Sequence, residues 1–125
     1  AAELEFIHLN KTAAMLEASL VFGGLVGGLP PEGEDTLRRA GRELGLAFQI
    51  VDDVLDATTD TFTLGKTAGK DVKAQKATYP SIVGLEKSKV IAAELTAKAE
   101  AALKPFRGKA VALGAISDYL LKRQS

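Results

Sequence analysis

The sequence has no cysteine and only one histidine, His8, among its 125 residues. Disulfides, thiolate metal sites, cysteine nucleophiles and multi-histidine metal centres are therefore excluded. The sequence also carries no net charge, because 16 basic residues balance 16 acidic ones. No overall electrostatic field therefore favours binding to nucleic acid or to an anionic membrane. The longest uncharged apolar run, residues 18–29, is shorter than the roughly 20 residues that span a bilayer. The hydrophobic content of 46% is enough for a globular core.

Strand-like alternation of apolar and polar residues is also missing, so the sequence predicts an all-α fold. Helical spacing predicts four helices, over residues 3–29, 36–57, 80–103 and 109–123. Asp35 is expected to cap the second helix, because its carboxylate can accept the first free backbone N–H groups. A loop is expected over residues 58–71, which are rich in Thr, Gly and Asp, with a turn at 79–80 and a break at 105–108.

The clearest feature that is present is an acidic segment, residues 48–56, which carries Gln49, Asp52, Asp53 and Asp56 in an otherwise apolar stretch. On a helix these four side chains share one narrow strip, and apolar residues occupy the opposite side. Like charges at this spacing repel each other, and their desolvation costs more. Because no lysine or arginine lies within four residues, compensation must come from a distant basic group, a proton or a metal cation. A hard divalent ion is the most economical of these.

Three other motifs fail on their spacing. Residues 65–67 resemble the end of a nucleotide phosphate loop, but Asp60 stands where that loop needs a glycine. The glycine cluster at 23–28 has Leu25 where a dinucleotide-binding turn needs glycine, and close helix packing is the better interpretation. The aspartates of the acidic segment have helical spacing, whereas an EF-hand needs alternating oxygen ligands in a loop.

Four ordered blocks carry the strongest signal: His8-x-x-Lys11-Thr12, Phe48-Gln49-x-x-Asp52-Asp53-x-x-Asp56, Gly65-Lys66-x-x-Gly69-Lys70-Asp71, and Lys76. Their order and spacing resemble the carboxyl-terminal half of the trans-isoprenyl diphosphate synthases. Residues 6–14, 65–71 and 79–88 are similar in particular to the geranylgeranyl diphosphate synthases of plants and algae. The resemblance covers nearly the whole chain. It implies that residues 1–125 form the carboxyl-terminal portion of one all-α prenyltransferase domain, an isoprenoid-synthase-type helical bundle.

The resemblance also implies a set of site residues. Asp52, Asp53 and Asp56 would form the second aspartate-rich motif of the family, which holds Mg²⁺ against a substrate diphosphate. The positions that match the family's contacts to the allylic diphosphate are Lys11, Thr12, Gln49, Lys66 and Lys76. Among all of these, Asp52, Lys11 and Lys66 are the predicted catalytic residues. His8 is expected to support the site structurally, and Tyr79 is expected to pack in the core.

The reaction that the resemblance implies is a Mg²⁺-dependent, head-to-tail condensation of isopentenyl diphosphate with an allylic diphosphate. The allylic substrate would be dimethylallyl, geranyl or farnesyl diphosphate, and the product a short-chain isoprenyl diphosphate such as geranylgeranyl diphosphate. Family members are commonly dimers, and plant relatives are often plastidial. We therefore expect a homodimer or a heterodimer with a related subunit in a plastid, or otherwise in the cytoplasm, with no nucleic-acid partner.

One departure from the family is large. Such enzymes carry a first aspartate-rich motif followed by arginines, and the sequence has no second Asp-Asp pair beside its arginines. The chain begins without an initiator methionine, so we expect a fragment or a processed form. Because it carries only one of the two motifs, we expect it to be inactive by itself. Two other function classes stay open. One is a non-catalytic subunit that modulates a complete synthase, and the other is a helical interaction domain with an incidental acidic patch.

Overall fold

A computed structural model describes residues 2–64 and 77–122 of the chain. Every regular element in these two ranges is helical, which confirms the all-α prediction. None of the described helices combines the length and the apolar content of a membrane span. The elements are α1 (Ala2–His8), a π-helical turn (Leu9–Ala13), α2 (Ala14–Val26), α3 (Pro31–Leu64), α4 (Tyr79–Val83), α5 (Leu85–Leu103), a 3₁₀ turn (Lys104–Ala110) and α6 (Val111–Lys122).

The first predicted helix is present, but it is interrupted by the π-helical turn and ends earlier than expected. α2 ends in a Schellman motif, in which the N–H of Leu29 donates to the carbonyl oxygen of Gly24 at 2.8 Å. In the same motif the N–H of Gly28 donates to the carbonyl oxygen of Leu25 at 3.1 Å. Gly28 has a φ of +73°, which glycine adopts at little steric cost. The glycine-rich tail therefore stops the helix.

The second predicted helix begins five residues earlier than expected, because α3 starts at Pro31. Proline is favoured in the first turn of a helix, since its fixed φ suits the helix and its missing N–H would have no partner there. Asp35 consequently lies inside the helix, in its second turn, and the prediction that it caps the helix is wrong.

α3 also continues past its predicted end, and residues 58–64 are helical where a loop was predicted. The hydroxyl of Thr58 donates to the carbonyl oxygens of Val54 at 3.0 Å and Leu55 at 2.9 Å. These bonds satisfy the threonine side chain within the helix, so a threonine-rich composition does not end it. The rest of the predicted loop, residues 65–71, lies outside the described residues.

The turn predicted at 79–80 is the start of α4, which Thr78 caps. The hydroxyl of Thr78 accepts the N–H of Ser81 at 3.3 Å, and the hydroxyl of Ser81 accepts the N–H of Thr78 at 3.0 Å. Gly84 separates α4 from α5 with a φ of +89°, so the third predicted helix is in fact two helices. The predicted break between the last two helices is present as the 3₁₀ turn.

α3 is the central element and packs against both α2 and α5. The buried apolar residues along its length include Leu37, Ala40, Leu44, Ala47, Ile50, Val51 and Val54. Ile50 and Val51 belong to one core cluster beside the acidic segment, and Leu37, Ala40 and Leu44 belong to a second cluster nearer the start of α3. The apolar side predicted for this helix is therefore confirmed.

Two glycines inside α3 allow neighbouring backbone to approach closely. A Cβ added to Gly41 would lie 2.5 Å from the Cα of Glu17, and a Cβ added to Gly45 would lie 2.7 Å from the Cβ of Ala13. Real side chains do not tolerate such distances, so both positions require glycine. Within the glycine cluster that was expected to pack closely, Gly24 does face Leu37 of α3.

Candidate functional site

Two contacts hold the π-helical turn along α3. At the end of the turn, the fully buried Ala13 lies against Gly45. Just before its start, the Nε2 atom of His8 lies 3.6 Å from the Oδ2 atom of Asp53. Since the earlier residue of the first segment meets the later residue of α3, the two segments run antiparallel. The π-helical turn therefore lies alongside the acidic segment.

Four of the predicted site residues fall between these two contacts. Lys11 and Thr12 belong to the π-helical turn, and Gln49 and Asp52 belong to the facing stretch of α3. Lys11 is exposed, whereas Thr12, Gln49 and Asp52 are each half-buried. The fold thus brings the lysine-threonine block and the aspartate block, which are about 40 positions apart in the sequence, to one region of the surface.

The π-helical turn itself was not predicted. Such turns add one residue to a helical turn and are frequent at functional sites, where they change the direction of neighbouring side chains. Here the extra residue falls in the turn that carries Lys11 and Thr12. The composition of Leu9–Ala13 contains no proline or glycine that would have marked it.

The three aspartates differ sharply in their exposure, although they were predicted to share one strip. Asp53 is 5% exposed, Asp52 is half-buried and Asp56 is exposed. The side-chain amide of Gln49 donates to the Oδ2 atom of Asp52 at 3.5 Å, at the long limit for a hydrogen bond. The strip therefore runs from the interior to the solvent, and only part of it is open to a ligand.

Asp53 contacts two groups from other elements. The backbone N–H of Tyr79 donates to its Oδ2 atom at 3.0 Å, and His8 approaches the same oxygen. The rings of His8 and Tyr79 are stacked, with their centroids 6.0 Å apart. Burial raises the pKa of Tyr79, and the negative charges of Glu5 and Asp53 raise it further. As expected from the sequence, Tyr79 packs in the core and His8 is buried behind the site.

Two predicted diphosphate contacts, Lys66 and Lys76, lie outside the described residues. In residues 2–64 and 77–122, no group of three or more His, Cys, Asp or Glu side chains is arranged to hold a metal ion. The predicted roles of the site residues are tested by none of these observations and stay predictions.

A family model supplies the deciding comparison. Residues 1–107 match the model of the polyprenyl synthetase family. The chain belongs to this family. Membership confirms the resemblance on which the sequence-based prediction depended, and it accounts for the all-α isoprenoid-synthase fold.

Similar proteins agree with the family assignment. The chain is 50% identical to the chloroplastic geranylgeranyl pyrophosphate synthase of Capsicum annuum, over 98% of this chain and 33% of the relative. It is 49% identical to a dimethylallyltranstransferase of Fischerella ambigua (strain UTEX 1903), over 98% of this chain and 35% of the relative. A crystal structure from Marinomonas sp. MED121, provisionally assigned as a farnesyl-diphosphate synthase, matches with a TM-score of 0.78 and 33% identity. That match covers 97% of this chain and 40% of the other. The chain spans about a third of the length of these curated relatives.

Within this polyprenyl synthetase chain, two of the three predicted metal ligands are accessible to solvent. Asp52 and Asp56 lie one helical turn apart on α3, and both have solvent access. Mg²⁺ usually takes one or two protein carboxylates and completes its octahedron with water and substrate phosphate oxygens. An oxygen of Asp53, the third predicted ligand, already accepts the N–H of Tyr79.

Two arginines of α3 form a separate charged cluster with Glu17 of α2. The carboxylate of Glu17 accepts hydrogen bonds from Nε of Arg42 at 2.6 Å and from Nη1 of Arg38 at 3.1 Å. The bond from Arg42, with a smaller effect from Arg38, holds the pKa of Glu17 below its ordinary value of 4.5, against the opposing effect of burial. These two arginines are therefore engaged within the fold.

Proposed function

We propose that the complete protein is a prenyltransferase of isoprenoid biosynthesis, a short-chain polyprenyl diphosphate synthase. It would condense isopentenyl diphosphate with dimethylallyl, geranyl or farnesyl diphosphate, and geranylgeranyl diphosphate is the product favoured by the names of several relatives. The observation that carries the proposal is the antiparallel contact of the π-helical turn with the acidic segment. This contact gathers a lysine, hydroxyl and amide donors, and carboxylates within one surface region of a polyprenyl synthetase chain.

Each group suits one part of a diphosphate site. The ammonium group of Lys11 would attract phosphate oxygens as a compact positive charge, and the hydroxyl of Thr12 and the amide of Gln49 would orient them. Asp52 and Asp56 would hold Mg²⁺, and Lys66 and Lys76 would add positive charge from the segment that follows α3. Bound Mg²⁺ would neutralise the negative charge that develops on the departing pyrophosphate.

Charge stabilisation is central to this reaction because ionising an allylic diphosphate separates a carbocation from a pyrophosphate anion. Lysine donors placed in advance stabilise the anion without having to reorganise during the reaction. The allylic cation must also be kept from water until isopentenyl diphosphate adds to it and a proton leaves. The apolar residues of this helical bundle suit that requirement.

We further propose a plastid location and a dimer for the complete protein. The location follows from relatives that are named as chloroplastic. A pairing with a related subunit is supported by one relative, 51% identical and named as the large subunit of a heterodimeric geranylgeranyl pyrophosphate synthase of Arabidopsis thaliana.

The direct test replaces Asp52 with Asn in the complete protein and measures prenyl product from isopentenyl and allylic diphosphates at saturating Mg²⁺. The loss of a metal-holding carboxylate should lower kcat/KM by about 100-fold or more. Asp35→Asn is the matched control, because Asp35 is exposed on the same helix about 25 Å away. It should leave the rate unchanged.

Equal rates for the Asp52→Asn variant and the unaltered protein would overturn the assigned role of the acidic segment. A complete protein that makes no product alone, yet raises the rate of a related synthase when mixed with it, would favour the regulatory-subunit hypothesis. Product chain length is read from the same assay by mass spectrometry.

A further inference from the structure

Asp53 is set apart from the other acids of the motif by its burial. It is 5% exposed, whereas Asp52 is half-buried and Asp56 is exposed. Its Oδ2 atom accepts the N–H of Tyr79 at 3.0 Å. Mg²⁺ keeps several bound waters, and a hydrated ion needs space around the carboxylate that receives it. A buried carboxylate with an oxygen already engaged by the protein is poorly suited to this.

His8 supplies the second observation. It is 5% exposed, and its Nε2 atom has no hydrogen-bond partner within the described part of the chain. Leaving such an atom buried and unsatisfied is unfavourable. The Oδ2 atom of Asp53 is 3.6 Å away, just beyond hydrogen-bonding distance. A movement of a few tenths of an ångström would complete the bond.

The positions of His8 and Tyr79 in the chain show which segments the contact with Asp53 holds in place. His8 is the last residue of α1 and immediately precedes the π-helical turn, which carries the predicted lysine and threonine donors. Tyr79 is the first residue of α4 and lies three positions after Lys76. One buried oxygen on α3 thus contacts the residues that flank two of the four blocks, the block of Lys11 and Thr12 and the block of Lys76.

We propose that Asp53 is a positioning residue and not a ligand of the metal. Through His8 and the backbone N–H of Tyr79, it holds the π-helical turn and the start of α4 in register with Asp52. The metal would then be held by Asp52 and Asp56, and Asp53 would act from inside the fold. The assignment of roles rests on the proposed function, but the contact itself does not.

Thermal unfolding of the complete protein without metal, in the presence of a chelator, tests the contact. Asp53→Ala and His8→Ala should each lower the melting temperature, and the double variant should lower it by less than the sum, because both remove the same interaction. Asp52→Asn and the control Asp35→Asn should leave it nearly unchanged. A ligand role alone predicts no effect of Asp53→Ala when no metal is present, and that result would overturn the proposal.

Steady-state kinetics test the role. Asp53→Ala should lower kcat by about 10- to 100-fold, the range typical of residues that orient metal ligands. Asp53→Asn should recover most of the rate with an unchanged half-saturating Mg²⁺ concentration, because an amide oxygen can still accept the N–H of Tyr79. His8→Gln should recover more rate than His8→Ala, since its amide can donate to Asp53. If Asp53→Asn instead raises the Mg²⁺ requirement as Asp52→Asn does, Asp53 is a ligand and the proposal fails.

The two experiments separate the two proposals. A protein without prenyltransferase activity whose unfolding still shows the His8–Asp53 coupling would contradict the proposed function and leave the buried contact established. An active enzyme without that coupling would contradict the positioning role alone.

Discussion

The two halves of α3 treat charge in opposite ways. In the half that begins at Pro31, Arg38 and Arg42 bind the carboxylate of Glu17, so these three charged groups are paired within the fold. In the other half the acidic segment carries three aspartates and no basic residue of its own. His8 is the basic side chain that the structure places against one of them.

This difference between the two halves of α3 indicates which of them has charged groups available to bind a ligand. A cluster that satisfies itself, such as the one at Glu17, stabilises the protein modestly and has little capacity left for a partner. Asp52 and Asp56 have solvent access, so a cation from solution can reach their carboxylates. The proposed metal site lies in this second half of the helix.

The largest effect concerns the apolar side of the acidic half of α3. The aspartates on the other side repel each other, so apolar packing has to hold this half of the helix in place. Ile50 is completely buried in the core cluster beside the acidic segment. Ile50→Ala should lower the free energy of unfolding by about 2–5 kcal/mol, measured by denaturant titration. Ile116→Ala, at a residue that is 53% exposed, should change it by about 0.5 kcal/mol or less. Similar losses at both positions would contradict the importance of the buried packing around Ile50.

The next effect concerns the junction between the two halves of α3, where Gly45 lies in close contact with Ala13. Gly45→Ala should lower the free energy of unfolding by about 1–3 kcal/mol, because the new methyl group would overlap Ala13. Gly23→Ala is the matched control, since nothing lies within 4 Å of its added Cβ, and it should stabilise by about 0.5–1 kcal/mol. Thermal melts of the two variants should therefore shift in opposite directions. Shifts of the same sign would contradict the close approach.

The smallest effect concerns the ion pairs of Glu17 with the first half of α3. Glu17→Gln should lower the free energy of unfolding at pH 7 by about 0.5–1 kcal/mol, because both arginine partners are largely exposed. The pKa of Glu17 is lowered in the folded state, so its contribution is present above pH 4.5 and disappears as the pH falls through the lowered pKa. Melts of the two proteins should converge at that acidic end and under high salt. A constant difference at every pH would contradict a charge-based contribution.

The sequence predicted the structure well where the helical spacing of apolar residues determines which side of a helix is buried. The buried side of α3, including Ile50 and Val51, follows from helical spacing alone. The helix boundaries were less predictable, because a threonine-rich run resembles a loop by composition, while the hydroxyl of Thr58 is satisfied inside the helix. The close approach at Gly45 depends on a partner from another helix, which no local pattern identifies.

The candidate site divides in the same way. Residue types and spacing, together with the family resemblance, identified Lys11, Thr12, Gln49 and the aspartates. The π-helical turn was missed because one extra residue leaves no mark in the composition of Leu9–Ala13. The helical strip placed Asp52 and Asp53 together, but their different burial depends on His8 and Tyr79, which lie far away in the sequence.

The central claim is that the exposed end of the acidic segment binds diphosphate together with Mg²⁺. Thermal unfolding of the complete protein with pyrophosphate, with and without Mg²⁺, tests it most directly. At about 100 times the dissociation constant, binding should stabilise the protein by about 2.7 kcal/mol when both are present, and Asp52→Asn but not Asp35→Asn should abolish this. Stabilisation that is equal without Mg²⁺, or that survives Asp52→Asn, would contradict the account.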